Sequence, residues 1–222
     1  MMAENIAVAL DGPGGSGKST IAKMLAKRLG SIYLDTGAMY RTFALKVLRS
    51  GLNKSDRSGI LKILDETKVD VAFENGEQRM LLDGEDVTGL IREPDVTEWA
   101  SFVASIPEVR LKLVELQREV SKRVSIVMDG RDIGTYVLPH AQYKFFLTAS
   151  PEVRAKRRYD ESLAKGMTVS YSEIYEALAA RDAQDSGRDF APLRQAEDAI
   201  LIDTGMLTPG EVMETILRHM NR

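Results

Sequence analysis

Gly12-Pro13-Gly14-Gly15-Ser16-Gly17-Lys18-Ser19 decides the fold of this chain. The stretch fits G-x-x-x-x-G-K-[ST], with an apolar run, Ile6 to Leu10, ahead of it and Ile21, Met24, Leu25 and Leu29 at helical spacing behind it. Strand, glycine-rich loop and helix in that order make a phosphate-binding loop. The glycines let the backbone curl until successive N–H groups face one anion, Lys18 adds a positive charge, and the helix turns its positive end to the same place. Ser19 offers a hydroxyl to Mg²⁺, and Thr20 joins the group at the helix start. A glycine-rich turn without a ligand would share the spacing but not the strand before it and the helix after it.

Outward from this loop, short apolar runs alternate with longer amphipathic ones, the pattern of a parallel sheet covered on both faces. Strands are expected at Ile6–Leu10, Ile32–Leu34, Ser125–Met128, Tyr143–Leu147 and Ile200–Ile202. Helices are expected at Lys18–Leu29, Val109–Val124 and Ser170–Gln184, and a last one opens at Thr208-Pro209-Gly210-Glu211, a capping box with proline at the first helical position. The expected fold is α/β: a P-loop NTPase three-layer sandwich around a five-stranded parallel sheet. Between Lys68 and Val87 the residues alternate instead as antiparallel strands do, with hairpin turns at Asn75-Gly76 and Asp83-Gly84. The domain reading is therefore a kinase-like core over 1–62 and 96–222, with a short helical lid near 151–168, and an inserted β lobe over 63–95. From the residues alone, a decorative hairpin and a substrate-covering lobe stand as equal readings of that insert.

Composition narrows the chemistry. The chain has 222 residues, no cysteine and only two histidines, His140 and His219, so disulfides and thiolate metal sites are excluded, only those two residues could offer imidazole, and a zinc or Cys/His nucleophile mechanism is not expected. Met1 to Asn5 shows no basic segment leading into an apolar one, and no run approaches the length of a membrane span, so a cytoplasmic protein is expected. A net charge of −3 with acids and bases interspersed argues against a long nucleic acid as partner. Small anions held by local arginines fit that balance.

Three further clusters carry chemistry. Leu34-Asp35-Thr36-Gly37-Ala38-Met39-Tyr40-Arg41 leaves the second strand and enters a helix; Asp35 can orient Mg²⁺ or its waters and Arg41 can grip a second phosphate, while a plain strand-to-helix turn capped by Thr36 is the alternative. Ile126-Val127-Met128-Asp129-Gly130-Arg131-Asp132 puts an acid, an arginine and a second acid where the third strand ends, and an acid at a strand tip is the usual metal-side partner of a phosphate loop. Arg181, Asp185 and Arg188 prolong the apolar stripe of Ile174 and Leu178, which suggests a cleft wall, although Gly187 can end the helix and leave Arg188 in a loop. Arg154, Arg157 and Arg158 form another basic face, either touching a ligand or pairing with Asp160 and Glu161.

Among phosphate-loop activities, a GTPase would need a guanine-reading Asn-Lys-x-Asp motif, which the chain lacks. A kinase acting on a hydroxyl generally needs a carboxylate to take its proton. One acting on a phosphate does not, because its nucleophile is already ionised; it must instead overcome repulsion between two polyanions with several arginines. Arg41, Arg131, Arg181 and Arg188 meet that demand.

The chain resembles the bacterial-type cytidylate kinases, which phosphorylate CMP and dCMP. The resemblance rests on Asp11-Gly12-Pro13 with the phosphate loop, Asp35 to Arg41, Asp129-Gly130-Arg131-Asp132-Ile133-Gly134-Thr135, and Arg181-Asp182-x-x-Asp185-x-x-Arg188-x-x-x-Pro192-Leu193, in the family's order over nearly the whole chain. It implies transfer of the γ-phosphoryl of ATP to CMP or dCMP with Mg²⁺, by a monomer whose partners are small molecules. It implies ATP held by Gly12 to Thr20 and by Arg157, and metal held by Ser19 and, through water, by Asp35. Ser101, Arg110 and Asp132 would surround the cytosine, Arg181 and Asp185 the ribose, and Arg41, Arg131 and Arg188 the acceptor phosphate, with Thr36 and Asp129 in the same acceptor set. Lys18, Arg131 and Arg188 would be catalytic. Thr36 stands where some members have serine, which keeps the hydroxyl and adds a methyl. The residues leave two rivals: a kinase of another acceptor, such as UMP or a small-molecule hydroxyl, and a non-catalytic ATP-binding module.

Overall fold

The protein is described from a computed structural model covering residues 5–221; Met1 to Glu4, which enter the reading of the chain's start, lie outside the described residues. In chain order the elements are β1 (Ala7–Asp11), α1 (Lys18–Leu29), β2 (Ile32–Asp35), α2 (Thr36–Arg49), α3 (Arg57–Glu66), β3 (Val69–Glu74), β4 (Glu77–Leu82), β5 (Glu85–Asp86), α4 (Pro94–Val103), α5 (Pro107–Arg123), β6 (Ile126–Gly130), a π-helical turn (Ile133–Val137), β7 (Tyr143–Thr148), α6 (Pro151–Ala164), α7 (Tyr171–Ser186), β8 (Ile200–Asp203) and α8 (Pro209–His219). They form two compact units, one made of the chain up to Ser31 together with Ser125 onward, the other of Ile32–Val124.

Four of the five strands of the parallel sheet lie in the first unit, in the order β6-β1-β7-β8. Val8, Ala9 and Leu10 of β1 and Ile126, Val127 and Met128 of β6 are completely buried, which is why these strands read as continuous apolar runs with no alternation. β1 runs beside β6 with Leu10 opposite Asp129 and Asp11 opposite Gly130. The two loops that follow, one beginning at Gly12 and the other at Arg131, therefore leave the sheet side by side. α1 stops at Gly30, whose left-handed backbone returns its N–H to the carbonyls of Ala26 and Lys27. α8 opens with the expected box, Thr208 accepting from the Glu211 N–H and Glu211 from the Thr208 N–H.

The second unit begins with the fifth parallel strand, β2, and carries the antiparallel sheet β3-β4-β5. Asn75 and Gly76, and again Asp83 and Gly84, all have positive φ, as two-residue hairpin turns demand. Met80 and Leu82 of β4 are buried, and β4 packs on α2, which packs in turn on α4. α3 and α4 have no counterpart in the reading of the sequence. Each carries an ordinary start signal, Asp56 capping α3 by accepting from Gly59 and Pro94 opening α4, but both are short, at ten residues each.

Candidate active site

The first unit builds an anion cradle. Gly12 has φ 149° and a side-chain carbon there would fall 2.0 Å from the Leu147 carbonyl oxygen, so only glycine lets the loop leave β1 this close to β7. The hydroxyl of Ser16 is buried with no hydrogen-bond partner among the described residues, an orphaned polar group where a phosphate nest needs one. Lys18 is 6% exposed and donates to the Pro13 carbonyl at 2.9 Å. Burial, aided by the nearby Arg131 and Arg181 and opposed by Asp129 and Asp185, pulls its ammonium down to about 7. An anion seated in the loop favours the charged form again. Ser19 donates to the Asp129 carboxylate at 2.5 Å, which couples the loop's hydroxyl to the acid at the tip of β6. Hydroxyl and carboxylate are the oxygen donors that Mg²⁺ takes, so the pair fits that ion.

Around this cradle the same unit gathers guanidinium groups on one carboxylate. Asp185 is 2% exposed; it accepts from Arg131 Nε at 2.8 Å and is paired with Arg188. Burial raises its pKa, and Arg131, Arg188 and Arg181 more than reverse that, holding the carboxyl below the usual range. α7 ends at Ser186, so Arg188 lies in the loop beyond it, while Arg181 and Asp185 share the less exposed face of the helix. Ile174 and Leu178 on that stripe are only half-buried, and a side-chain carbon on Gly14 would lie 3.3 Å from Leu178. The stripe thus borders the phosphate loop instead of entering a core. Asp132 is buried at the start of the π-helical turn.

The three arginines of α6 separate. Arg154 is buried and donates to the carbonyls of Ala149 and Gly14, and it pairs with Asp182 at 2.6 Å, bracing the phosphate loop. Arg157 donates to the hydroxyl and carbonyl of Thr204, and a side-chain carbon on Gly17 would lie 3.9 Å from its Nη1. Arg158 pairs with Glu161 at the surface.

The second unit holds its own charged cluster. Asp35 caps α2 by accepting from Ala38, receives Arg41 at 2.7 Å and lies 3.5 Å from Arg92. Burial pushes this carboxyl up, and Arg41, Arg92 and the Ala38 N–H pull it below its ordinary value. From β4, the Gln78 amide accepts from the Asp35 N–H at 2.7 Å and donates to the Asp35 carbonyl at 3.2 Å. The antiparallel sheet therefore grips the strand-to-helix turn itself. Thr36 is buried at the first position of α2. Ser101 lies on α4; Arg110, 2% exposed on α5, donates to the Ala104 carbonyl at 3.1 Å and stacks its guanidinium 5.5 Å from the Tyr40 ring. Glu108, on the same helix, pairs with Arg57. Gln78 and Arg92 were not legible as site residues: a glutamine on a hairpin strand and an arginine after it match no spacing rule, and only the folded sheet brings them to Asp35.

Comparison with known proteins agrees with this geometry. Cytidylate kinase of Caldicellulosiruptor saccharolyticus is 51% identical over 96% of this chain and 95% of that protein, and the enzyme of Streptococcus pneumoniae is 47% identical over 96% of each. Shikimate kinase of Bacteroides thetaiotaomicron, 12% identical with a TM-score of 0.50 over 98% of this chain and 99% of that one, shares the fold alone, as does a gluconokinase of Sinorhizobium meliloti at 13% identity, TM-score 0.51, over 98% and 92%. The cytidylate kinase family model matches residues 8–222, and with the phosphate loop, the strand-tip acids and the arginine cluster in place the chain belongs to the cytidylate kinase family.

Proposed function

We propose that this chain transfers the γ-phosphoryl group of ATP to CMP or dCMP, giving ADP and the nucleoside diphosphate, within pyrimidine nucleotide metabolism. The observation that carries the reading is Asp185, a buried acid holding two arginines, Arg131 and Arg188, from different loops of the unit that contains the phosphate loop. Guanidinium groups fixed in advance are what a reaction between two polyanions requires. An oxygen of the CMP phosphate attacks the γ-phosphorus, the bond to the β-phosphate oxygen breaks, and the electron pair leaves with ADP. No proton has to be taken from the nucleophile, which is ionised at neutral pH.

Gly12 to Thr20 hold the donor phosphates, Lys18 countering their charge, and Arg157 reaches the same nucleotide. Ser19, and Asp35 through water, would hold Mg²⁺, which when bound would supply charge neutralisation to the donor nucleotide. Arg41, Arg131 and Arg188 take the acceptor phosphate, Arg181 and Asp185 the ribose, and Ser101, Arg110 and Asp132 the cytosine, with Thr36 and Asp129 completing the acceptor set. The segment 63–95 serves as acceptor lobe on the core formed by 1–62 and 96–222, a role supported by the grip of Gln78 on Asp35, and 151–168 serves as a lid that excludes water. The protein is read as a cytoplasmic monomer, a setting its cysteine-free composition suits. The test is an ADP-release assay with Mg-ATP and CMP, dCMP, UMP or AMP. Fast turnover with CMP and dCMP and little with UMP is expected; equal rates on UMP would remove the base-recognition part, and no CMP-dependent release the whole reading.

A further inference from the structure

Asp11, the last residue of β1, is the one member of the Asp11-Gly12-Pro13 motif that the proposed chemistry does not use. Its side chain is 4% exposed, and its two oxygens accept from the N–H groups of Ile133 at 2.8 Å and Gly134 at 2.7 Å. Those are the two residues that directly follow Arg131 and Asp132. The pairing of β6 with β1 ends at Gly130, which stands opposite Asp11 itself. Arg131 and Asp132 are therefore a two-residue span, tied at one end by the sheet and at the other by the Asp11 carboxyl. The N–H groups of Ile133 and Gly134 open the π-helical turn and have no partner within it, while later N–H groups of the turn, from Tyr136 and Val137, return to the Asp132 carbonyl. The opposite side of Gly134 is also closed: a side-chain carbon there would lie 3.2 Å from the Lys144 stem and 3.4 Å from Asp11 Oδ2, and Lys144 is itself anchored to Pro139 and Asp198.

We propose that Asp11 is a positioning residue for acceptor selection: fixed at the root of the phosphate loop, its carboxyl sets the place of Arg131 and Asp132 and so keys the acceptor-reading loop to the donor-binding loop. The inference rests on the reading that Asp132 contacts the cytosine. Burial pushes the Asp11 acid up to about 7, with the Gly134 and Ile133 N–H groups pulling against it and Asp132 adding to the rise, so this acid is kept at a cost that a purely packing role would not need.

Asp11→Asn preserves volume but keeps only one acceptor, so one of the two N–H groups faces an amide N–H instead. In the full chain, assayed at about pH 8 where the native acid is mostly ionised, Asp11→Asn is expected to raise KM for CMP about tenfold and to narrow the CMP-to-UMP preference, with KM for ATP within about twofold of the parent. Gly134→Ala presses on the same contact from the other side and is expected to reproduce the pattern if Asp11→Asn folds poorly. Val212→Ala, a core truncation in α8, lowers the melting temperature without moving either KM, which separates positioning from general loosening. An unchanged KM for CMP in both variants, or an equal rise in KM for ATP, would overturn the proposal while leaving the kinase reading intact. If Asp132→Asn also leaves the CMP-to-UMP preference unchanged, the cytosine assignment fails first and this inference with it.

Discussion

At the scale of single residues, the site is a set of charges whose values depend on their neighbours. Lys18 and Arg188 are expected to be indispensable: alanine at either should lower kcat by about a thousandfold or more in the ADP-release assay, with an unchanged far-ultraviolet spectrum, since on the proposed function each substitution removes a positive charge that faces the phosphates. Normal turnover of a folded Arg188→Ala protein would take that residue out of the mechanism. Asp132→Asn is expected to narrow the preference for CMP over UMP by about tenfold, the equivalent of roughly 1.4 kcal/mol, because a carboxylate accepts from the cytosine amino group and repels the uracil carbonyl, whereas an amide can meet either. The sequence singles these residues out because phosphate chemistry restricts the residue types that can serve it. Gln78 and Arg92 were not legible, since nothing in their local sequence separates them from surface polar residues; nor was the division of labour among Arg154, Arg157 and Arg158, equivalent by spacing but in the fold a brace, a loop contact and a surface pair.

Elements were legible where local rules and burial agree. α1 has the bounds expected of it, and all five parallel strands occur within a residue or two of their expected places; in β1 and β6, which are buried on both faces, the chain has to be apolar almost throughout. The capping box of α8 is another local rule: Thr208→Ala should lose about 1 kcal/mol, read as a lower urea midpoint, with both KM values unchanged. α3 and α4 escaped notice because each covers its core with few buried residues, Ile60 and Leu64 in one and Val96, Ala100 and Val103 in the other, too few to establish a period. The π-helical turn has no sequence signature at all. Its first N–H groups are satisfied by Asp11, 122 residues from Ile133 and 123 from Gly134.

At the scale of the whole molecule, stability should depend on pH in two separate windows. Asp11 has its pKa raised in the fold from 3.8 to about 7, so its contribution is full below its unfolded value and is lost as pH rises toward and through 7. Asp185 and Asp35 have theirs lowered, so their contribution is present above the ordinary carboxylate range and is lost only in acid, as pH falls through their folded values. Between about pH 4 and pH 7 the native protein should therefore lose urea resistance relative to Asp11→Asn, and a constant gap between the two would show that Asp11 titrates normally. The sequence by itself determined the α/β class, the glycine-rich loop between strand and helix, the order of the strands along the chain and the antiparallel insert, since each is a matter of residue type at short spacing. Only the tertiary structure decided which polar groups meet: Ser19 with Asp129, Arg131 with Asp185, Gln78 and Arg92 with Asp35, Asp11 with the turn after Asp132. These pairs are 43 to 123 residues apart, and no local rule acts over such distances; they are set by strand register and by the requirement that buried charges and N–H groups find partners.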